Sequence, residues 1–375
     1  MHKMTFYPLG CADCCRIDLE NGKKLLFDYA DMRNPDDKFD LRWDLPGDLR
    51  RDLESAKRNY YDIVAFTHLD EDHYKGASDF FWLEHDKKYQ DDKRIKITTL
   101  WVPAAILTET GPDNEEARII QRETQHRFKA GKGIRVFSRP ERLREWCVKN
   151  KIKLEDRIGL ICDAGRLAPE FTKENDGVEF FVHSPFARRL NDREVEDRNN
   201  DSLVMQAVFV VNAVETKALL MADVDHTVIA DIVEITRDVK KRPERLEWDI
   251  MKLPHHCSYK AIGPEKGDDK TKPVDQVKWL CETQREENSM IVSTSDPIPV
   301  KGSEEDKDDY PPHREAANYY KEVVGDDNFL VTMEFPRKSS PKPIVIKIDG
   351  SKATLEKLSL SGVAAITSAP APRAG

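Results

Sequence analysis

The chain has 375 residues, 39% of them hydrophobic and 34% charged, with a formal net charge of −9. Such numbers describe a soluble globular protein with a heavily charged surface, long enough for two domains or one large one. They exclude a global cationic field that would draw in polynucleotides. No apolar run approaches the roughly 18 residues of a membrane-spanning helix.

Seven cysteines, an odd number in a long chain, argue against a disulfide framework and for a reducing, cytoplasmic setting. The N-terminal "MHKMTFYPLGCADCC" lacks the apolar core of a signal peptide.

In chain order, residues 4–30 read as two short strands, "CRIDL" and "KLLFDY", joined through the Asn-Gly pair of "ENGKK", a hairpin signal. Leu45, Leu49, Leu53 and Ala56 recur at helical spacing and predict a helix over 45–60. "DIVAF" is a strand, followed by a charged turn and a helix over 77–89. "IKITTLWVP" and "GIRVFS" are strands, with helices over 112–130 and 139–150.

From Val178 strands dominate: "VEFFVHSPF", "SLVMQAVFVV" and "KALLMAD", the last two joined by a hairpin turn in "NAVET". A helix over 227–239, the strands "WDIMKLP" and "NSMIVST", and a helix over 313–323 follow. "FLVTME" and "PIVIKID" read as a closing hairpin. The charged, Pro-ended stretch 301–312 reads as a mobile loop, and 351–375 as a disordered tail. Strands interleaved with helices imply a layered α/β or α+β architecture.

The chemistry concentrates at strand ends. Directly after "DIVAF", six residues hold His68, Asp70, Asp72 and His73, with Glu71 among them. Like charges so close repel unless something positive sits between them. His183 ends "VEFFV", Asp223 ends "KALLMA", and His255 and His256 follow "WDIMKLP". Ligands converge at such strand ends in layered sheets. Imidazole nitrogen and carboxylate oxygen suit zinc, manganese or iron. Metal binding by this turn is a stronger reading than a solvated acidic loop.

"HLDEDH" resembles the H-x-H-x-D-H signature of the metallo-β-lactamase fold, with Asp70 where that family has its second His. A strand-end His (His183), a strand-end Asp (Asp223) and a late His (His255 or His256) follow in the family's order. "LGCADCCRIDL", "LLFD", "NNDS", "MAD" and "KLPHHCS" resemble, in order, the landmarks of the branch that contains the hydrolase domain of the DNA-uptake protein ComEC. The resemblance spans roughly residues 5–350.

It implies an α/β, four-layer αββα sandwich forming one hydrolase domain over 1–350, with a helical insertion near 80–160. It also implies two divalent metal ions. His68, Asp70 and His183 would hold one, Asp72, His73 and one of His255 or His256 the other, and Asp223 would bridge. Asp72 and Asp223 would be catalytic, and a hydroxide between the ions would attack. Asp70 adds an anion to the ligand set, which brings manganese and iron in beside zinc. Cys257 stands where the branch has Gly, and "MAD" lacks a Gly before Asp223.

Lys252 and Lys75 are candidates to neutralise a phosphate oxygen, with solvated lysines the plainer alternative. Asn199, Asn200 and Ser202 resemble the branch's polar substrate-side segment, though Asn-Asn is also an ordinary turn. His313 resembles a late Pro/His element, with a helix-start residue as the alternative. "CADCC" is read as buried strand cysteines, and His2, His85, His126 and His226 as surface residues.

The leading function is a metal-dependent phosphodiesterase or nuclease acting on nucleotides or short single-stranded nucleic acid, with no membrane partner. Two metals suit in-line displacement at phosphorus. Hydrolysis of an ester, lactone or amide on the same fold is a second reading. A decayed site serving as a partner or sensor module is a third. A helical HD-type phosphohydrolase ranks below these, because the ligand-bearing segments read as strands.

Overall fold

A computed structural model describes residues 1–112, 114–186 and 199–356. Among them, fifteen strands form two sheets flanked by helices, a mixed α/β arrangement. In the first sheet β1 (His2–Phe6), β2 (Cys15–Asp18), β3 (Lys24–Phe27), β4 (Tyr60–Ala65), β5 (Lys96–Pro103), β6 (Ile134–Phe137) and β7 (Ile161–Cys162) lie in chain order. The second sheet runs in chain order through β8 (Val178–Ser184), β9 (Val204–Val211), β10 (Val214–Leu220), β11 (Trp248–Lys252), β12 (Arg285–Ser293) and β13 (Phe329–Val331). β14 (Ile344–Asp349) and β15 (Lys352–Leu355) return to the first sheet and extend it beyond β1.

β3 through β7 pair in parallel, as do β10 through β13, so the ends of β3, β4, β10 and β11 are the places where loops can gather.

Three buried clusters show how these elements pack. One joins the sheets themselves: Met4, Ile17 and Ile63 of the first share a core with Phe180, Ala207 and Ile250 of the second. At its centre Trp101 meets Phe180 edge-on at 5.5 Å and Phe137 at 5.5 Å. A second cluster joins the first sheet to the helices Leu45–Ser55 and Glu115–Ala130. A third joins the second sheet to the helices His226–Val233 and Arg314–Val324. Alternation explains the strands. Ile344, Ile346 and Ile348 of β14 are fully buried while the residues between them are only partly so.

Several expectations are corrected. "FLVTME" and "PIVIKID" are not a hairpin. β13 pairs in parallel with β12, and β14 pairs antiparallel with β1 in the other sheet. The helix expected over 77–89 is a single turn, Ala77–Phe80. The chain then extends so that Trp82 N donates to Ile95 O and Ile95 N to Phe80 O, a bridge that outbids further helix. The segment near 80–160 supplies β5 and β6, which continue the first sheet directly from β4. Lys352–Leu355, placed in the tail by sequence, is the edge strand β15, while 357–375 lie outside the described residues. His2 is buried against Phe209 rather than on the surface. The strand β1 was not separately foreseen.

Candidate metal centre

β4 ends at Ala65, and the turn after it leads into a short helix, Glu71–Tyr74, that carries Asp72 and His73. Three imidazoles at this edge are each held by one nitrogen. His73 Nδ1 donates to Asp28 Oδ2 at 2.9 Å. His256 Nδ1 donates to the carbonyl of Thr294 at 2.7 Å. The Thr67 hydroxyl gives its proton to Asp28 Oδ2 at 2.8 Å, so its oxygen accepts from His68 Nδ1 at 3.0 Å. With the proton fixed on Nδ1, each ring offers the lone pair of Nε2.

Those Nε2 atoms face carboxylates. His256 Nε2 lies 3.0 Å from Asp72 Oδ2 and 3.2 Å from Asp223 Oδ2. His73 Nε2 lies 3.4 Å from Asp223 Oδ2 and 4.0 Å from Asp72 Oδ2. The His68 ring sits 3.9 Å from that of His73, and its Nε2 is 3.7 Å from Asp70 Oδ2. Asp13, His73, Asp223 and His256 each place one donor atom within 4.8 Å of the others, and all four are buried.

Whether this group fits a cation is tested by its unmet hydrogen-bonding capacity. His68 Nε2, His73 Nε2, Asp13 Oδ1 and Asp223 Oδ1 are buried without a hydrogen-bond partner. Buried polar atoms are normally satisfied, and four exceptions at one place need a reason. Nitrogen and oxygen lone pairs aimed at one region suit a divalent metal ion.

Electrostatics agree. Burial opposes charge on His73, yet Asp223, Asp28 and Asp72 outweigh it and hold the imidazole well above its ordinary value. Burial likewise opposes charge on His256, and Asp223 with Asp72 raises it well above. Burial and the neighbouring His73 push His68 well below. Burial favours a neutral Asp223, but His256 and His73 draw it well below the usual carboxylate range. Without a metal, protons on two imidazoles supply positive charge that a cation would otherwise bring.

The backbone is strained where it delivers these groups. Asp28, at the end of β3, has φ +58°. His255, His256 and Cys257 are three consecutive left-handed residues, at φ +47°, +49° and +68°. Each costs about 1–2 kcal/mol for a residue with a Cβ. Strain of this kind persists where surrounding contacts over-determine it, and it gathers at functional sites.

Of the residues singled out in the sequence, the structure brings together His68, Asp70, Asp72, His73, Asp223 and His256. Of the adjacent imidazoles, His256 enters the group, while the His255 ring lies 6.3 Å from that of His256.

His183 is placed elsewhere. Phe180 and Val182 point into the core between the sheets, so Phe181 and His183 face the other side. There His183 Nε2 donates to Arg245 O at 2.9 Å, and burial lowers its pKa to about 4.

Lys252 is at the centre but is buried against Asp13, with Asp223 at 3.9 Å. Lys75 pairs with Glu71 at 2.9 Å on the surface. Asn200 bonds Asp225 and so steadies the turn beyond Asp223. Ser202 is buried next to Leu203, whose N–H donates to Thr67 O. His313 accepts from Tyr259 N at 3.4 Å and starts the helix Arg314–Val324. Cys257 is buried.

Asp13 and Asp28 were missed as site residues. Asp28 closes "KLLFD" and obeys the same strand-end rule that singled out Asp223. Asp13 was hidden inside "CADCC", where the cysteines drew attention. Its N–H donates to Asp72 O, which locks the N-terminal turn onto the charged one. A small cavity behind the group is lined by Asp13, Asp28, Thr67, Lys252 and the apolar Phe27 and Leu220.

No family model matches the chain. No curated protein matches it either. Among matching solved structures is one described as a crystal structure of a new diphosphatase from the PhnP family. The similarity covers 95% of this chain and 100% of that one, at 9% identity and a TM-score of 0.37. So low an identity and TM-score say nothing about activity.

Proposed function

We propose that the chain is a metal-dependent hydrolase of metallo-β-lactamase-like αββα architecture that cleaves phosphodiesters. One observation carries the reading: His73 and His256, each anchored at Nδ1, turn Nε2 toward Asp72 and Asp223, beside His68, whose Nε2 faces Asp70, and four buried atoms of this group have no hydrogen-bond partner. The core shared between the two sheets, with helices packed on the outer face of each, supports the architecture.

His73, His256 and Asp72 would hold one divalent ion, and His68 with Asp70 a second. Asp223, 3.4 Å from His73 Nε2 and 3.2 Å from His256 Nε2, would bridge the two sets. His183 has no part in either. Zinc, manganese and iron all suit the donor set, and its carboxylate content favours the harder ions. Bound there, two such ions would supply Lewis acidity and acidify a water molecule.

The chain's own groups prepare that centre. Asp28 and Thr294 O fix the tautomers of His73 and His256. Lys252 neutralises part of the charge on Asp13 and Asp223. Because Lys252 and Lys75 are already paired, a substrate phosphate would draw its positive charge from the ions. The intact convergence speaks for a working centre rather than a decayed one.

The test is hydrolysis of bis-p-nitrophenyl phosphate with manganese, compared with nitrocefin and a simple lactone. The expected result is turnover of the phosphodiester alone, abolished in Asp72→Ala with the fold unchanged by circular dichroism. Turnover of nitrocefin or the lactone alone would overturn the phosphodiester reading.

A further inference from the structure

The loop over 295–312 is fastened at both ends to the turn that carries His256. At its start, Thr294 O accepts from His256 Nδ1 at 2.7 Å. At its end, His313 N donates to Cys257 O at 3.1 Å. The same loop is fastened to the turn that carries Asp13. Cys11 Sγ donates to Pro311 O at 3.2 Å, and a Cβ added to Gly10 (φ +82°) would stand 3.3 Å from Asp296 Oδ1. Both turns deliver donor atoms to the centre, so this loop forms a wall beside it.

The loop encloses a groove of about 490 Å³, a size suited to one small ligand moiety. Its apolar lining includes Pro297, Pro299, Val300 and Tyr310. Tyr310 is 79% exposed and Val300 71%. Large apolar groups left in water on a loop anchored at both ends offer a surface for an apolar ligand face. The polar lining is acidic, from Asp296, Glu305 and Asp308, and Lys338 is paired with Glu334 at 2.9 Å. Such walls accept N–H groups and repel phosphates.

We propose that this groove takes the uncharged heteroaromatic base of a mononucleotide-sized phosphodiester. The base stacks on Tyr310 and turns its N–H groups toward the carboxylates, while the single phosphodiester lies at the metal centre. The proposal rests on the phosphodiesterase reading above and narrows it, because an acidic groove disfavours a substrate with further phosphates.

The test uses the full chain with manganese and two esters that share a leaving group, thymidine 5′-(p-nitrophenyl) phosphate and methyl p-nitrophenyl phosphate. The nucleoside ester is expected to be favoured about tenfold or more in kcat/KM, the size of one base–aromatic stack. In Tyr310→Ala that ratio falls to near one. Equal turnover of both esters, or a ratio that survives Tyr310→Ala, overturns the groove and leaves the phosphodiesterase reading standing.

If neither ester is hydrolysed, the phosphodiesterase reading fails, and thymidine binding followed by saturation-transfer NMR decides the groove alone. Binding lost in Tyr310→Ala supports it, and no binding overturns it. Tyr310 is exposed, so the variant is expected to fold, which circular dichroism checks.

Discussion

At the scale of single residues, the centre depends on side chains that hold other side chains. Asp28 contacts His73 Nδ1 and both the N–H and hydroxyl of Thr67, and so sets the orientation of two rings. Asp28→Asn should weaken manganese or zinc binding by about 10–100-fold, the usual effect of losing such a partner. Titration calorimetry checks this, with circular dichroism as the control for folding.

The raised pKa values of His73 and His256 carry a sign. Their protonated forms stabilise the metal-free fold fully below about pH 6.5, and that stabilisation is lost as pH rises through the folded values. Metal binding needs those nitrogens bare, so it releases protons. The Tm gain on adding manganese should therefore be larger at about pH 8.5 than at about pH 6, as thermal unfolding would show.

His68, Asp72, His73 and Asp223 stand out in the sequence as candidates because they directly follow apolar strands, and the structure brings them together. Asp28 carried the same strand-end signal as Asp223, whereas Asp13 ends no predicted strand and only folding brings it within 3.7 Å of His73 Nδ1. His183 was misplaced because a strand end says where a residue stops, not which face it occupies.

At the scale of elements, pairing partners decide what periodicity alone leaves open. The "NAVET" hairpin was read correctly, and its turn places Asn212 and Ala213 at φ +52° and +64°. Ala213→Gly relieves an exposed left-handed residue and should stabilise the fold by roughly 0.5–1 kcal/mol in urea unfolding. The one-turn helix Ala77–Phe80 and the separation of β13 from β14 were not legible, since both follow from partners distant in sequence. On the outer face of β8, His183→Ala should leave the number of bound ions unchanged. It should cost about 2 kcal/mol of stability through the lost bond to Arg245 O. Metal analysis and denaturation separate the two effects.

At the scale of the whole molecule, charge and packing point the same way. Around the centre Asp13, Asp28, Asp72 and Asp223 outnumber Lys252 among the described residues; protons on His73 and His256 offset part of that charge, and divalent ions would take their place. Charge buried without compensation is too costly to persist. The two sheets close on a core centred on Trp101 and hold that arrangement in place. Among the described residues, no helix is long and apolar enough to cross a membrane.

Anomalous diffraction from crystals grown with manganese tests the central claim most directly. Two peaks should appear, one bounded by His73, His256 and Asp72 and the other by His68 and Asp70, with Asp223 between them. Crystals in excess manganese with no anomalous signal among these side chains would contradict it.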